Sequence, residues 1–276
     1  MKKKLALLGI AVAGVLAMAQ TCTILGATIV TINDEVWYSA EIKNDSNADI
    51  LNHRMAVGFI EGSSLAASKT IDQDGDPDGT LCLHSLQSGE SDFFSANSEL
   101  DENDVDTAVT RLVGPLTIGE VVPSDMTFSN IVVTRNDETL VVTGKIKNND
   151  NDELDNVRVC VVVRNEDGDV TRVDVDNNEF DGLGEDESAD FSITTTVPDS
   201  TDDVDVVDLY VDAINVDDDD QVTEPVSDLD NSVTVCTAPT NTTTPPTSTN
   251  TPTPSNTPGP GTPTVTPSST PVGDAC

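Results

Sequence analysis

The stretch Asp72-Gln73-Asp74-Gly75-Asp76-Pro77-Asp78-Gly79 sets a carboxylate at every second position. Alternate oxygen ligands followed by a glycine that permits a sharp turn are how a loop wraps a hard cation. Asp72, Asp74, Asp76 and Asp78 are therefore candidate calcium ligands. Counted from Asp74, the twelfth position is Ser85, where an EF-hand needs a bidentate glutamate, and Pro77 stiffens the middle. The EF-hand is excluded. A looser calcium loop and a solvated acidic loop both stay open. A second acidic run, Asp217 to Asp220, is four like charges in sequence, the pattern of a self-repelling linker.

Nucleophilic and acid–base chemistry lacks parts. There are two histidines, His53 and His84. His53 occupies a core-face position of an alternating segment, and His84 follows Cys82 with no hydroxyl–acid partners that spacing can name. A carboxylate pair for glycoside hydrolysis can be drawn among 50 acids, but one Trp and two Tyr leave little for a sugar platform. The expectation is a protein that is not an enzyme and needs no cofactor other than calcium, should the acidic loop bind it. The five cysteines, Cys22, Cys82, Cys160, Cys236 and Cys276, contain no Cys-x-x-Cys, which argues against zinc and redox sites. In an exported chain they are disulfide candidates. The economical arrangement joins Cys22 to Cys82 and Cys160 to Cys236, one bridge per repeat, and leaves Cys276 unpaired.

What must position these residues is a duplicated unit. Glu41-Ile42-Lys43-Asn44-Asp45 returns as Lys145-Ile146-Lys147-Asn148-Asn149, 104 positions on. At the same offset Ile50 meets Leu154, Met55 meets Val159, Val57 meets Val161 and Phe59 meets Val163. Glu90-Ser91-Asp92-Phe93-Phe94-Ser95 returns as Glu187-Ser188-Ala189-Asp190-Phe191-Ser192. A period near 100 residues is one domain long. Within it, Val157, Val159, Val161 and Val163 alternate with Arg158 and Arg164, the period of a half-buried strand. Asn165-Glu166-Asp167-Gly168-Asp169 turns the chain into Val170–Val175, a hairpin signal. Further strands are expected at 35–43, 53–60, 92–96, 140–147, 189–196 and 204–213. The spacing predicts an all-β chain with two tandem immunoglobulin-like β-sandwich domains at 27–111 and 125–213, a linker at 112–124 and an acidic linker at 214–236.

Thr143-Gly144-Lys145-Ile146-Lys147-Asn148-Asn149-Asp150, followed by Leu154-Asp155-Asn156-Val157-Arg158-Val159 and by Gly184-Glu185-Asp186-Glu187-Ser188-Ala189-Asp190-Phe191, resembles the bacterial FxLYD-type domain. Where that family's name-giving motif would stand, this chain has Val161-Val162-Val163-Arg164-Asn165. The resemblance implies small extracytoplasmic β-sandwiches, often in tandem, without catalytic residues.

The two ends suggest an address. Lys2-Lys3-Lys4, an apolar run from Leu5 to Met18 and Ala17-Met18-Ala19 read as a secretory signal at 1–19, cleaved so that Gln20 leads the mature chain. Cys22 just beyond also admits a lipoprotein reading. Residues 237–276 are nearly all Thr, Pro, Ser and Asn and cannot bury a core, as in a disordered stalk. The formal net charge is −37, from 50 acids and 13 bases, and losing the three signal lysines makes it more negative still. Nucleic acid and anionic membrane surfaces demand basic patches and are excluded as partners. A basic protein, a carbohydrate or an envelope polymer remains. The expectation is a non-enzymatic extracellular or cell-surface protein for adhesion, envelope structure or binding, with a calcium-dependent binder of carbohydrate or protein through 72–79 as the alternative.

Overall fold

The structure, a computed structural model, describes residues 22–72, 79–113, 117–118, 120–176, 182–200, 204–215 and 221–235. These residues belong to one compact unit. They are all-β: no helix occurs among them. The first copy of the repeat contributes β1 (Cys22–Ile32), β2 (Glu35–Asn44), β3 (Ile50–Leu51), β4 (Arg54–Glu61), β5 (Ser64–Ile71), β6 (Gly79–Leu81), β7 (Ser85–Leu86), β8 (Ser91–Asp101) and β9 (Thr107–Val113). The short β10 (Thr117–Ile118) and β11 (Glu120–Val122) follow. The second copy contributes β12 (Met126–Asn136), β13 (Thr139–Asn148), β14 (Leu154–Arg164), β15 (Val170–Val175), β16 (Ser188–Thr196) and β17 (Val206–Asn215). It ends with β18 (Gln221–Thr223), β19 (Val226–Ser232) and β20 (Thr234–Val235).

In the first copy the sheet β1-β2-β8-β6 faces the sheet β5-β4-β9, and β10-β3-β7 form a separate three-stranded sheet. Ala40, Ile42, Met55, Val57, Phe59 and Phe94 close the core between them. In the second copy β16-β13-β12-β20 faces the sheet built on β18, β17, β14 and β15. Its core holds Leu140, Val142, Ile146, Val159, Val161 and Phe191. The alternation read along β14 is thus realised, with Val157, Val159, Val161 and Val163 all in that core. The layers are sandwich-like, as strands with one apolar face require.

The 104-residue offset extends to details of backbone geometry. β1 pairs β2 from Cys22↔Asn44 to Ile32↔Glu35, and β12 pairs β13 from Met126↔Asn148 to Asn136↔Thr139. Both ladders slip at one place, Leu25/Thr28 and Ser129/Val132. There Gly26 and its counterpart Asn130 hold positive φ of 50° and 55°, the left-handed conformation that glycine and asparagine tolerate best. The recurring asparagine also has a mechanism. Asn44 Nδ2 donates to the carbonyls of Ala48 and Leu86 at 2.8 and 2.9 Å, and Asn148 Nδ2 donates to those of Asp152 and Leu183, both at 2.8 Å. Each carboxamide oxygen accepts the N–H two residues on, Ser46 and Asp150. This side chain closes the turn after β2 and β13.

Strands continue outside 27–111 and 125–213. β10 pairs β3, β11 pairs β18 in parallel, and β19 pairs β17. Residues 112–124 and the described part of 214–236 therefore include ladder strands of the fold.

Candidate functional site

The residues with chemistry gather where the two copies meet. β14 carries Cys160 and Val162 on the face opposite its core valines, and β15 adds Val170, Val173 and Val175. Val170 shares their side because the ladder slips between Val163↔Arg172 and Arg164↔Val170, leaving Thr171 as the extra residue of a bulge. These side chains, with Tyr210, pack against Cys82, Leu83 and Phe93 of the first copy in a third buried cluster. The outward face of β2 and β8 is thereby covered by β15. Polar and charged groups stitch the rim. Ser39 Oγ lies 2.6 Å from Ser95 Oγ and donates to the Thr171 carbonyl at 3.1 Å, while the Val173 N–H donates to Ser95 Oγ at 2.7 Å. Arg172 stacks 3.7 Å above the Trp37 ring. Arg164 sits 5.2 Å over Phe93, 2.7 Å from Asp208 and 3.5 Å from Glu41. Phe93 and Tyr210 stack at 4.8 Å, and the Tyr210 hydroxyl is pushed up to about 12, first by burial and then by Asp208.

One disulfide crosses this seam and corrects the expected pairing. Cys82 is bonded to Cys160, with Cα atoms 5.4 Å apart and a sequence separation of 78. The pairs Cys22–Cys82 and Cys160–Cys236 are not formed. Cys22 enters β1 opposite Asn44, a half-buried free thiol whose pKa is raised by burial and by Asp45. Cys236 and Cys276 lie outside the described residues. One bridge per repeat is the economical pairing for copies that stay separate; the fold instead lays one copy's Cys82 on the other's Cys160.

Each histidine meets a buried carboxylate that also accepts a backbone N–H from residues 83–84. His53 Nε2 is 2.8 Å from Asp92 Oδ2, and both side chains are 0% exposed. Asp92 Oδ1 accepts the N–H groups of Leu83 and Phe93 at 3.0 and 2.6 Å. Burial pushes the Asp92 carboxyl above its ordinary range, against the lowering pull of the His53 contact and the Phe93 N–H; Asp212 adds to the rise. His84 Nδ1 is 2.8 Å from Asp212 Oδ1, and the His84 N–H donates to Asp212 Oδ2 at 2.6 Å. Residues 82–84 thus strap β8 of the first copy to β14 and β17 of the second by a covalent bond and two buried carboxylates. The His53–Asp92 pair fills the place where the second copy has Val157 and Ala189: Asp92 pairs with Ile42 as Ala189 pairs with Ile146. Neither His53 nor Asp92 offers a substrate any surface. The arrangement is built to hold strands together, because a buried polar group left without its hydrogen-bond partner costs about 1–3 kcal/mol.

Of the calcium candidates, Asp72 is half-buried at the end of β5, its Oδ2 3.7 Å from Arg54 Nε. Asp74, Asp76 and Asp78 lie outside the described residues. Among the described residues no three His, Cys, Asp or Glu side chains cluster in the manner of a metal site, and no helix is long and apolar enough to cross a membrane. The sequence reading missed Asp92, Asp212 and the outward Phe93. Two signals were present. Val159 to Val163 is an unbroken apolar run, the mark of a strand buried on both faces. Phe93 stands where the other copy has Asp190, which is exposed and ion-paired with Lys145 at 2.6 Å.

No protein-family model matches the chain, and no curated protein matches it. Among solved structures, a calcium binding mutant of Bacteroides uniformis beta-glucuronidase 2 is 12% identical with a TM-score of 0.24, the match covering 78% of this chain and 28% of that one. Red sea bream transglutaminase is 10% identical with a TM-score of 0.22, over 77% of this chain and 32% of that one. The chain thus spans about a third or less of the length of these structures.

Proposed function

We propose that this is a non-enzymatic exported protein that presents two immunoglobulin-like β-sandwich modules, clamped face to face, on a Thr/Pro stalk at the cell surface, for adhesion, envelope structure or binding. The observation that carries the reading is the Cys82–Cys160 bridge, buried in an apolar cluster between the copies. Such a bond forms and persists in oxidising compartments. The secretory pattern at 1–19 and the stalk composition of 237–276 agree with that address. The His–Asp pairs are used for construction: His53–Asp92 is sealed inside the first copy and His84–Asp212 bridges the two copies, so the protein's activity is to be a stiff, acidic display unit.

The test is to produce the full chain in a secreting bacterium and analyse the exported product. N-terminal sequencing is expected to begin at Gln20, and peptide mapping without reductant to find Cys82 linked to Cys160. Retention in the cytoplasm with Met1 intact and both thiols reduced would overturn the reading.

A further inference from the structure

The seam joins two unlike surfaces. The outward face of β14–β15–β17 in the second copy lies on the outward face of β2–β8 in the first. Because the copies share one fold register, each carries a version of both surfaces, and the seam consumes one from each. Two are left over, each on the far side of its copy's core from the seam.

The first is the outward face of β5–β4–β9. Ala56 and Gly58 stand at the positions that Cys160 and Val162 occupy in the second copy. Leu65, 62% exposed, and Val109, 45% exposed, close over Gly58, where a Cβ would lie 3.1 and 3.3 Å from them. Arg54 and Arg111 are exposed on the same face, which is unusual in so acidic a chain. The second is the outward face of β12–β13–β16, where Val132, 53% exposed, pairs with Thr143 beside Val141. Val141 and Thr143 match Trp37 and Ser39, which β15 covers in the first copy. Of the six large apolar side chains most exposed among the described residues, Leu65, Val109 and Val132 lie on these two faces.

We propose that the β5–β4–β9 face of one molecule docks on the β12–β13–β16 face of a second copy, repeating between chains the face-to-face contact the two repeats already make within one. Two different surfaces in contact form a heterologous interface, which propagates as an open head-to-tail array. The formal charge of −37 opposes assembly, so the array forms when salt shortens the range of repulsion.

Sedimentation velocity of the mature chain over a protein concentration series, from about 0.01 to about 1 M sodium chloride, where the Debye length falls from ~30 to ~3 Å, reads this directly. At high salt the weight-average mass is expected to rise with concentration past that of a dimer. Val109→Glu and Val132→Glu, both at exposed positions, are each expected to stay monomeric with an unchanged melting temperature. Mixed in equal amounts, the two variants are expected to form a dimer and nothing larger, since only one pair of intact faces remains. A wild-type chain that is monomeric throughout, an assembly that stops at the dimer, or a mixture of variants that stays monomeric would each overturn the proposal.

Discussion

Opening the Cys82–Cys160 bridge is expected to remove a large part of the stability of the whole unit, in two separable amounts. A cross-link spanning 78 positions restricts the unfolded chain by about 4.5 kcal/mol at 25 °C in the chain-entropy relation, within the ~2–5 kcal/mol seen when native disulfides are removed. Reducing the wild-type protein removes that restriction and leaves both sulfurs in place. Cys82→Ala/Cys160→Ala removes the restriction and also two buried sulfur atoms from the cluster with Leu83, Phe93 and Val162, so it must lose more, by the cavity left behind. Trp37 is the chain's one tryptophan and lies under Arg172 in the seam, so its fluorescence reports the seam while far-UV circular dichroism reports the strands. In guanidinium titrations of the oxidised protein the two signals are expected to move together. After reduction the midpoint falls and Trp37 changes first, because the seam then rests on non-covalent contacts alone. A stability change below about 1 kcal/mol, far short of the cross-link value, would refute the reasoning, as would peptide mapping that joins Cys82 to another cysteine.

Three further expectations can be checked on the same material. The raised Asp92 carboxyl takes up its proton more readily folded than unfolded, so its contribution favours the folded state as pH falls and is lost as pH rises through its folded value; unfolding free energies should show wild type gaining on Asp92→Asn between neutral pH and the ordinary aspartate range, and the opposite slope would contradict the burial argument. Phe93→Ala is expected to cost about 3–5 kcal/mol, whereas Asp190→Ala, at the same register position on the uncovered sheet, should stay within about 0.5 kcal/mol; equal costs in denaturant melts would mean that the seam does not bury Phe93. Calcium at millimolar levels is expected to raise the melting temperature of wild type and of Asp74→Asn/Asp76→Asn/Asp78→Asn equally at matched ionic strength; a larger rise in wild type than in the variant would make the 72–79 loop a calcium site.

The sequence by itself determined what is written in short-range order. Alternating valines at 157–163 and the turn at 165–169 specify the β14–β15 hairpin, because strand period and turn chemistry act between residues a few positions apart. The duplication predicted that the second ladder would repeat the first, and it does so down to the slip at Gly26 and Asn130 and the turn-closing Asn44 and Asn148. His53 fell on a core-facing position for the same reason, and it is buried. The tertiary structure alone decided which surfaces the two copies share. Asp212 meets His84 across 128 positions and Val173 meets Ser95 across 78; no local period records such a contact. An outward residue is read as solvated until a second layer covers it, and that is why Phe93 and Val162 gave no site in the linear reading. The same covering sends Cys82 to Cys160 and not to Cys22: a disulfide needs two Cβ atoms within about 4.5 Å, and only the packing of β14 and β15 on residues 82–83 and β8 brings that pair together.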